Sequence, residues 1–377
     1  MWRRACLSCR ISLSYSVPQP ASYYRDKVRS YLSHLAALKH KTAWSTTSVS
    51  DVTSAPAHTS RALGLTANSS HIYSGGDDRH LRSWDLVSHV MLAERQGMST
   101  SCLDCTESHV AAGLYNGCIM IFDRNLSRVV TTCSRHMGPV YDVKWAPDSS
   151  TVVSGSSDCT VRVWGVTENS NTCIHVFRGH DTMINKILLM WDAAASRVFS
   201  LDIACINVWC VKEKKKLSSL RPHNSVGKEG YFQPGLIHSR YLHSNSTECD
   251  VVVCGSNNGI YMWDAHSYAL LRLIQSEGYV CAEHIVGAGS SFIVSTYDDG
   301  IAIINSVTGQ HECTVAVPQF NNTNCGIWLN RHCGWLNGVG FGDGDPVFVV
   351  TTFAGDITSF SLDHKFGNSL VKNAVKQ

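Results

Sequence analysis

Seven stretches of this 377-residue sequence repeat one pattern, and that repetition limits the possible folds more than any other feature. Each stretch reads as an apolar run, a small or acidic turn, an alternating strand and an apolar anchor. The stretches are 71–86, 109–124, 151–166, 197–211, 251–265, 292–306 and 347–362. Their anchors are Trp84, Phe122, Trp164, Trp209, Trp263, Ile304 and Phe360, at steps of 38 to 56 residues. This period predicts one four-stranded unit per repeat.

The turn inside each unit favours a β-hairpin. It is built from Asp, Asn and Gly, which tolerate a positive φ, and the runs on either side are rich in Val, Ile and Tyr. A further short strand precedes the hairpin, as in 140–146, and another follows the anchor, as in 172–177. We therefore expect an all-β protein.

Composition and charge bear on the expected partners and on the state of the cysteines. The net charge of +2 gives no general attraction to nucleic acid or membranes, so neither is expected as a partner. The sixteen cysteines are spread along a chain large enough to bury a core, which favours reduced thiols inside a cell. Two Cys-x-x-Cys pairs, Cys6/Cys9 and Cys102/Cys105, lie too far apart in sequence for a typical zinc site, so no metal or cofactor is expected.

The stretch RHMGPVYDVKWAPDSSTVVSGSSDCTVRVW, residues 135–164, resembles the WD-repeat β-propeller family nearly position by position. The resemblance covers roughly 42–364, and seven units agree with the commonest propeller size in that family. It implies a seven-bladed WD-repeat β-propeller over 42–364, a short helical N-terminal extension over 1–41 and a C-terminal tail over 365–377.

The resemblance also implies a buried hydrogen-bonded chain of His, Ser, Asp and Trp in three units. The implied sets are His58, Ser74, Asp78 and Trp84; His136, Ser154, Asp158 and Trp164; and His180, Ser200, Asp202 and Trp209. The donors and acceptors of these four side chains match without an orphan, so we expect the sets to join neighbouring strands.

A hydrolase is the rival interpretation, because Ser, His and Asp together suggest nucleophilic catalysis. The set recurs with a Trp each time, and the sequence has no G-x-S-x-G elbow, H-E-x-x-H helix or phosphate-binding glycine loop. The sequence therefore favours a non-enzymatic protein.

In the resembled family, partners bind at the rim of the central channel on the face that carries the turn Asp residues. The matching positions are Arg79 and Cys159, just after two of those Asp residues, and Tyr141 and Asn185, five after two of the His residues. We also expect 44–52 to supply the outer strand beside the hairpin ending at Phe360. The stretch 224–248 reads as a long inserted loop, a candidate binding element or a disordered segment, and KEKKK at 212–216 reads as a solvated turn.

The N-terminal segment points to a function. MWRRACLSC resembles the tail that follows an F-box, and 22–41 resembles the linker helix that leads to the propeller. The F-box proper is missing, so we expect a shortened form that receives substrates without reaching Skp and a cullin on its own. This interpretation makes the chain the substrate-recognition part of an F-box and WD-repeat SCF ubiquitin-ligase subunit, located in the cytoplasm or nucleus.

Two alternatives stay open. Residues 1–50 hold eight Lys and Arg, one acidic residue and ten Ser, a composition typical of a mitochondrial presequence. The second alternative is a general WD-repeat scaffold in another complex. Adaptors in the other large cullin system often carry an Arg two residues after a Trp-Asp pair, and the Trp-Asp pairs of this chain lack it. Among the partner positions that the resemblance implies, only Arg79 suits a phosphorylated partner.

Overall fold

The computed structural model describes most of the chain between 53 and 274, and beyond that only separate strands. The described ranges are 53–56, 58–60, 62–85, 90–167, 170–191, 196–222, 231–242, 248–256, 259–274, and the backbone of 285–287, 292–297, 300–305, 311–315, 335–341, 346–351 and 356–361. Residues 1–41, the predicted strand 44–52 and the tail 365–377 lie outside these ranges. Among the described residues, no helix could span a membrane.

The described part of the chain is all-β, so the predicted fold class is confirmed. Sheet 1 contains β2 (Ala62–Ala67), β3 (His71–Gly76), β4 (His80–Asp85) and β5 (Met91–Gln96). Sheet 2 contains β6 (Thr100–Cys105), β7 (His109–Leu114), β8 (Cys118–Asp123) and β9 (Val129–Ser134). Sheet 3 contains β10 (Val140–Trp145), β11 (Thr151–Ser156), β12 (Thr160–Thr167) and β13 (Ser170–Arg178).

The later sheets repeat the same arrangement. Sheet 4 contains β14 (Lys186–Trp191), β15 (Ser196–Leu201), β16 (Ile206–Cys210) and β17 (Lys215–Leu220). Sheet 5 contains β18 (Phe232–Leu242), β19 (Glu248–Ser256), β20 (Gly259–Asp264) and β21 (Leu270–Ile274). Sheet 6 contains β22 (Ile285–Gly287), β23 (Phe292–Tyr297), β24 (Gly300–Asn305) and β25 (His311–Val315).

A seventh sheet has the order β1-β28-β27-β26. Its strands are β1 (Thr53–Pro56), β26 (Trp335–Phe341), β27 (Pro346–Thr351) and β28 (Asp356–Ser361). The chain divides into two compact units, Ser54–Gly338 with Val349–Thr358, and Met1–Thr53 with Val339–Phe348 and Ser359–Gln377. Sheets 1 to 6 belong to the first of these. Closure of seven sheets into a seven-bladed ring stays a prediction.

Within that unit, each sheet packs on the next through its first strand. β2 contacts β6, β6 contacts β10, β10 contacts β14, β14 contacts β18, and β18 contacts β22. The core is the apolar layer between the sheets, for example Trp145, Val152 and Trp164 with Ile121. Consecutive repeats therefore become neighbouring sheets.

The sequence anchors share one backbone irregularity. In sheets 1 to 6 the pairing of the third strand with the fourth shifts register just before the anchor, because the fourth strand carries one extra residue there, a β-bulge. The register shifts fall directly before Trp84, Phe122, Trp164, Trp209, Trp263 and Ile304. The anchors are thus equivalent positions of one repeating sheet.

One expectation about loops is wrong, and another is only partly right. The predicted inserted loop 224–248 contains β18, whose eleven residues form the first strand of sheet 5. The basic run KEKKK is only partly a turn, because Lys215 and Lys216 belong to β17. Lys216 lies over the Trp209 ring, with its Nζ 5.7 Å from the ring centroid. In both cases antiparallel pairing with an adjacent strand, β19 for β18 and β16 for β17, overrides the local loop composition.

Glycines on the second strands allow the next sheet to approach closely. A Cβ on Gly155 would lie 2.5 Å from Cγ2 of Ile184, just before sheet 4, and a Cβ on Gly75 would lie 2.8 Å from Cβ of Thr100 in sheet 2. Contacts this short between carbon atoms are repulsive. Glycine is therefore required at these inter-sheet positions by space.

We expect Gly155→Ala to lower the free energy of unfolding by about 1–3 kcal/mol, because the added methyl overpacks the boundary between sheets 3 and 4. Gly165→Ala is the matched control, since its nearest neighbour would be Oγ1 of Thr172 at 3.2 Å. Urea unfolding followed by circular dichroism measures both variants. Equal stability of the two would refute this steric account.

Candidate functional site

The first predicted set of four side chains lies at the end of sheet 1. Nδ1 of His58 is 2.9 Å from Oδ1 of Asp78, and Nε2 of His58 is 2.8 Å from Oγ of Ser74. The indole N–H of Trp84 donates to the same Oγ at 2.9 Å. The set joins the segment before β2 to β3, β4 and the turn between them.

The second set has the same geometry in sheet 3. His136 Nδ1 is 2.9 Å from Asp158 Oδ2, and His136 Nε2 is 2.8 Å from Ser154 Oγ. Trp164 donates its indole N–H to Ser154 Oγ at 2.9 Å. The two sets thus repeat to within 0.1 Å in these contacts.

The third set assembles in sheet 4 although its turn begins differently. His180 Nδ1 is 2.7 Å from Asp202 Oδ2, and Ser200 Oγ receives the Trp209 indole N–H at 2.7 Å. Asp202 comes two residues after Ser200, whereas Asp158 comes four after Ser154. Asp202 accepts the backbone N–H of Cys205 at 2.6 Å, which fixes the carboxylate in its shifted place.

The direction of donation follows from the residue types. Trp only donates and carboxylate only accepts, so the indole donates to Ser, the Ser hydroxyl donates to Nε2 of His, and Nδ1–H of His donates to Asp. This order requires a neutral imidazole. Burial lowers the pKa of both His58 and His136 below 6.5, consistent with that state.

Each carboxylate has donors beyond those that the sequence indicated. Arg82 NH1 lies 3.0 Å from Asp78 Oδ2, and the Thr160 hydroxyl donates to Asp158 Oδ1 at 2.6 Å. Burial opposes ionisation, but the hydrogen bonds from His58 and Arg82 outweigh it and lower the pKa of Asp78 to about 2. Burial is likewise outweighed at Asp158, where bonds from Thr160, the Met137 N–H and His136 lower the pKa to about 2.

We expect the protein to lose stability in two stages as the pH falls. Below pH 6.5 His58 and His136 bind protons more readily in the unfolded chain than in the folded chain, where their pKa values are lowered, so unfolding is favoured. Between about pH 4 and 2, Asp78 and Asp158 add a second loss, because their carboxylates are protonated first in the unfolded chain.

The melting temperature measured from pH 8 to pH 5 tests the first stage. The double variant His58→Gln, His136→Gln removes both titrating groups, so its melting temperature should fall less steeply over this range. An unchanged slope would contradict the assignment of the two histidines.

The arrangement is unsuited to nucleophilic catalysis. Ser74, Ser154 and Ser200 each have no exposed surface, and each Oγ is already occupied by an indole N–H. A reactive serine needs open space for a substrate carbonyl beside its Oγ. These three sets therefore offer no route for a substrate.

His180, Asp202 and Cys205 also meet the distance requirement of a metal site, since one ligand atom of each lies within 4.8 Å of the others. Protein contacts already occupy these atoms. His180 bonds Asp202, and the Cys205 thiol lies 3.6 Å from Oδ1 of Asn207. We therefore assign His180 and Asp202 to the third hydrogen-bonded set and not to a metal site.

The four predicted partner positions occupy the same end of the sheets. Because neighbouring strands are antiparallel, turns between second and third strands emerge together with the loops that follow fourth strands. We call the described part of this end the loop face; its residues are 58–60, 77–79, 97–99, 115–117, 135–139, 157–159, 179–185, 202–205, 221–222 and 231. Arg79, Cys159 and Asn185 lie in it, and Tyr141 follows it in β10.

Exposure differs among these four. Arg79 is exposed, whereas Tyr141, Cys159 and Asn185 are half-buried. Arg79 and Cys159 have φ of 65° and 62°, the left-handed conformation that Gly117 adopts at the corresponding turn position of sheet 2. Their backbone is therefore set by the turn, and only their side chains are available to a partner.

Comparisons with known proteins agree with this geometry. The WD40 family model, described as WD domain, G-beta repeat, matches residues 46–85 and 127–165. The chain contains WD40 repeats. The two matches include sheet 1 up to Asp85 and sheet 3 up to Gly165, which hold the first two sets of four.

Relatives share parts of the chain at low identity. Pre-mRNA-processing factor 19 of Oryza sativa subsp. japonica is 28% identical over 45% of this chain and 30% of its own length. Cell division control protein 4 of Saccharomyces cerevisiae is 33% identical over 22% of this chain and 10% of its own length. Autophagy-related protein 16 of Arabidopsis thaliana is 26% identical over 69% of this chain and 50% of its own length. The chain thus spans between a tenth and a half of these relatives. The matches support a WD-repeat protein-interaction scaffold.

Proposed function

We propose that this chain is a non-enzymatic scaffold that binds protein partners on its loop face, and that it serves as the substrate-recognition part of an F-box and WD-repeat SCF ubiquitin-ligase subunit. One contrast carries the first half of the proposal. The Ser, His and Asp side chains are closed off by tryptophans, whereas the loop face exposes large side chains such as Met137, which is 93% exposed.

The second half rests on the resemblance of MWRRACLSC and residues 22–41 to the segment between an F-box and a propeller. A propeller joined to an F-box supplies substrate binding, while the F-box supplies the link to the Skp adaptor and a cullin. Skp and cullin binding would require an F-box, and we assign substrate binding to the repeats described above.

Affinity purification tests both halves. A tag encoded at the 3′ end of the chromosomal gene would label whatever form the cell produces, and mass spectrometry would identify co-purified proteins. We expect Skp and cullin subunits with the tagged form, and their loss from a form that starts at residue 42. Recovery of a different complex would replace the ligase assignment by the general scaffold and leave the binding role intact.

The cellular location of the protein distinguishes the ligase role from the mitochondrial alternative. The proposed role places the protein in the cytoplasm or nucleus, whereas the Arg- and Ser-rich composition of residues 1–50 favours mitochondria. Residues 1–41 fused to a fluorescent protein should stay outside mitochondria. A mitochondrial signal would contradict the ligase role.

A further inference from the structure

Three apolar side chains stand exposed on the loop face beside sheets 3 and 4. The exposed fractions are 93% for Met137, 48% for Met183 and 47% for Ile203. A single exposed apolar side chain is ordinary, but a run of them on one face marks an interaction surface. Met137 lies before sheet 3, Met183 before sheet 4, and Ile203 in the turn of sheet 4.

Backbone hydrogen bonds join the segments that carry these residues into one band. The N–H of Ser157 donates to the carbonyl of Pro139 at 2.9 Å, within sheet 3. The N–H of Ile184 donates to the carbonyl of Ser156 at 3.1 Å, across the boundary from sheet 3 to sheet 4. Asn185 then donates to Leu201 at 2.8 Å. The segments that carry the three apolar side chains are therefore held in place by hydrogen bonds that continue the pairing of sheets 3 and 4.

Exposed arginines accompany the band. Arg135 and Arg221 directly follow the fourth strands of sheets 2 and 4, and Arg178 ends the fourth strand of sheet 3. All three are exposed. Against them the same segments carry one exposed acidic residue, Asp181, because Asp158 and Asp202 are bonded within the sets of four. The band thus has an excess of positive charge beside its apolar side chains.

We propose that this band, Met137, Met183 and Ile203 with Arg135, Arg178 and Arg221, binds a peptide segment that combines apolar side chains with carboxylates. Methionine side chains adapt to different apolar shapes, and each guanidinium can pair with a carboxylate through two hydrogen bonds. This inference rests on the proposed scaffold function and specifies the chemistry of the partner.

Selection of peptides from a random library displayed on phage tests the proposal with the full chain as bait. We expect enrichment of peptides that contain both Asp or Glu and Leu, Ile, Phe or Met. The triple variant Met137→Ser, Met183→Ser, Ile203→Ser should bind the selected peptides about tenfold more weakly or worse. The variant Arg135→Glu, Arg178→Glu, Arg221→Glu should lose them and select Lys-rich peptides instead.

Matched controls separate this result from unfolding and from general charge effects. Lys212→Glu, Lys214→Glu, Lys215→Glu reverses three exposed charges at the opposite end of sheet 4 and should leave binding unchanged. Melting temperatures of both loop-face variants should equal that of the unaltered protein. Selected peptides without acidic residues, an absence of enriched peptides, or equal binding by the variants would overturn the inference. The affinity purification described above judges the scaffold role independently of these outcomes.

Discussion

Trp164→Ala is expected to lower the free energy of unfolding by about 3–5 kcal/mol, because it removes a fully buried indole and leaves a cavity. Trp164 packs in the core cluster that includes Val152 and Trp145, and it supplies the hydrogen bond to Ser154. Urea unfolding followed by circular dichroism measures this loss. A change below 1 kcal/mol would show that the ring is not part of the core.

Conservative variants isolate the hydrogen bond from the packing. Trp164→Phe keeps an aromatic ring but removes the donor to Ser154, so we expect a loss of about 1–3 kcal/mol. Trp145→Phe is the matched control, because its buried indole N–H has no hydrogen-bond partner within the described residues. The Trp164 variant should be the less stable of the two; the reverse order would contradict the role of the bond.

Asp158→Ala should lower the melting temperature while the sheets stay folded. The carboxylate accepts from His136, the Met137 N–H, and both the N–H and the hydroxyl of Thr160. Loss of an acceptor for buried donors costs about 1–3 kcal/mol.

Differential scanning calorimetry, with circular dichroism to verify the sheets, measures the effect. Asp181→Ala is the control, because it removes an exposed carboxylate from the same face and should melt like the unaltered protein. If Asp158→Ala also melts at the temperature of the unaltered protein, the Asp158 carboxylate does not stabilise the sheets.

The repeats, the all-β class and the anchors could be predicted because they are local patterns. Strand alternation, turn residues and the anchor spacing all lie within one unit. In sheet 3, the strand predicted at 140–146 is β10, Val140–Trp145, and the strand predicted at 172–177 lies within β13, Ser170–Arg178.

Contacts between units could not be predicted in this way. Asp104 in β6 accepts the N–H of Trp145 in β10 at 2.7 Å, and Asp142 in β10 accepts the N–H of Ile187 in β14 at 2.8 Å. Each bond joins the first strands of consecutive sheets. Its partners are about forty residues apart, and no spacing rule marks them.

Sheet 5 shows a second limit, because its anchor is held differently. Trp263 stacks on Tyr261 at 5.3 Å between ring centroids and meets Phe232 edge-on at 5.7 Å. Phe232 belongs to the long strand β18, which the sequence suggested was a loop. The aromatic cluster could be recognised only once that strand was placed.

The loop face was also only partly predictable. The resemblance pointed to Arg79, Tyr141, Cys159 and Asn185, and three of these are half-buried. Met137, Met183 and Ile203 gave no signal in the sequence, because exposure of an apolar side chain depends on which end of the sheet its loop reaches. Sheet topology supplies that information.

The central claim is that interior sets of Asp, His, Ser and Trp join the strands within sheets 1, 3 and 4, while the loop face binds partners. The partner profile of the Arg135→Glu, Arg178→Glu, Arg221→Glu variant, purified beside the unaltered protein, tests it most directly. We predict an unchanged melting temperature and the disappearance of the co-purified partner proteins. An undiminished partner profile would place binding elsewhere and contradict the account.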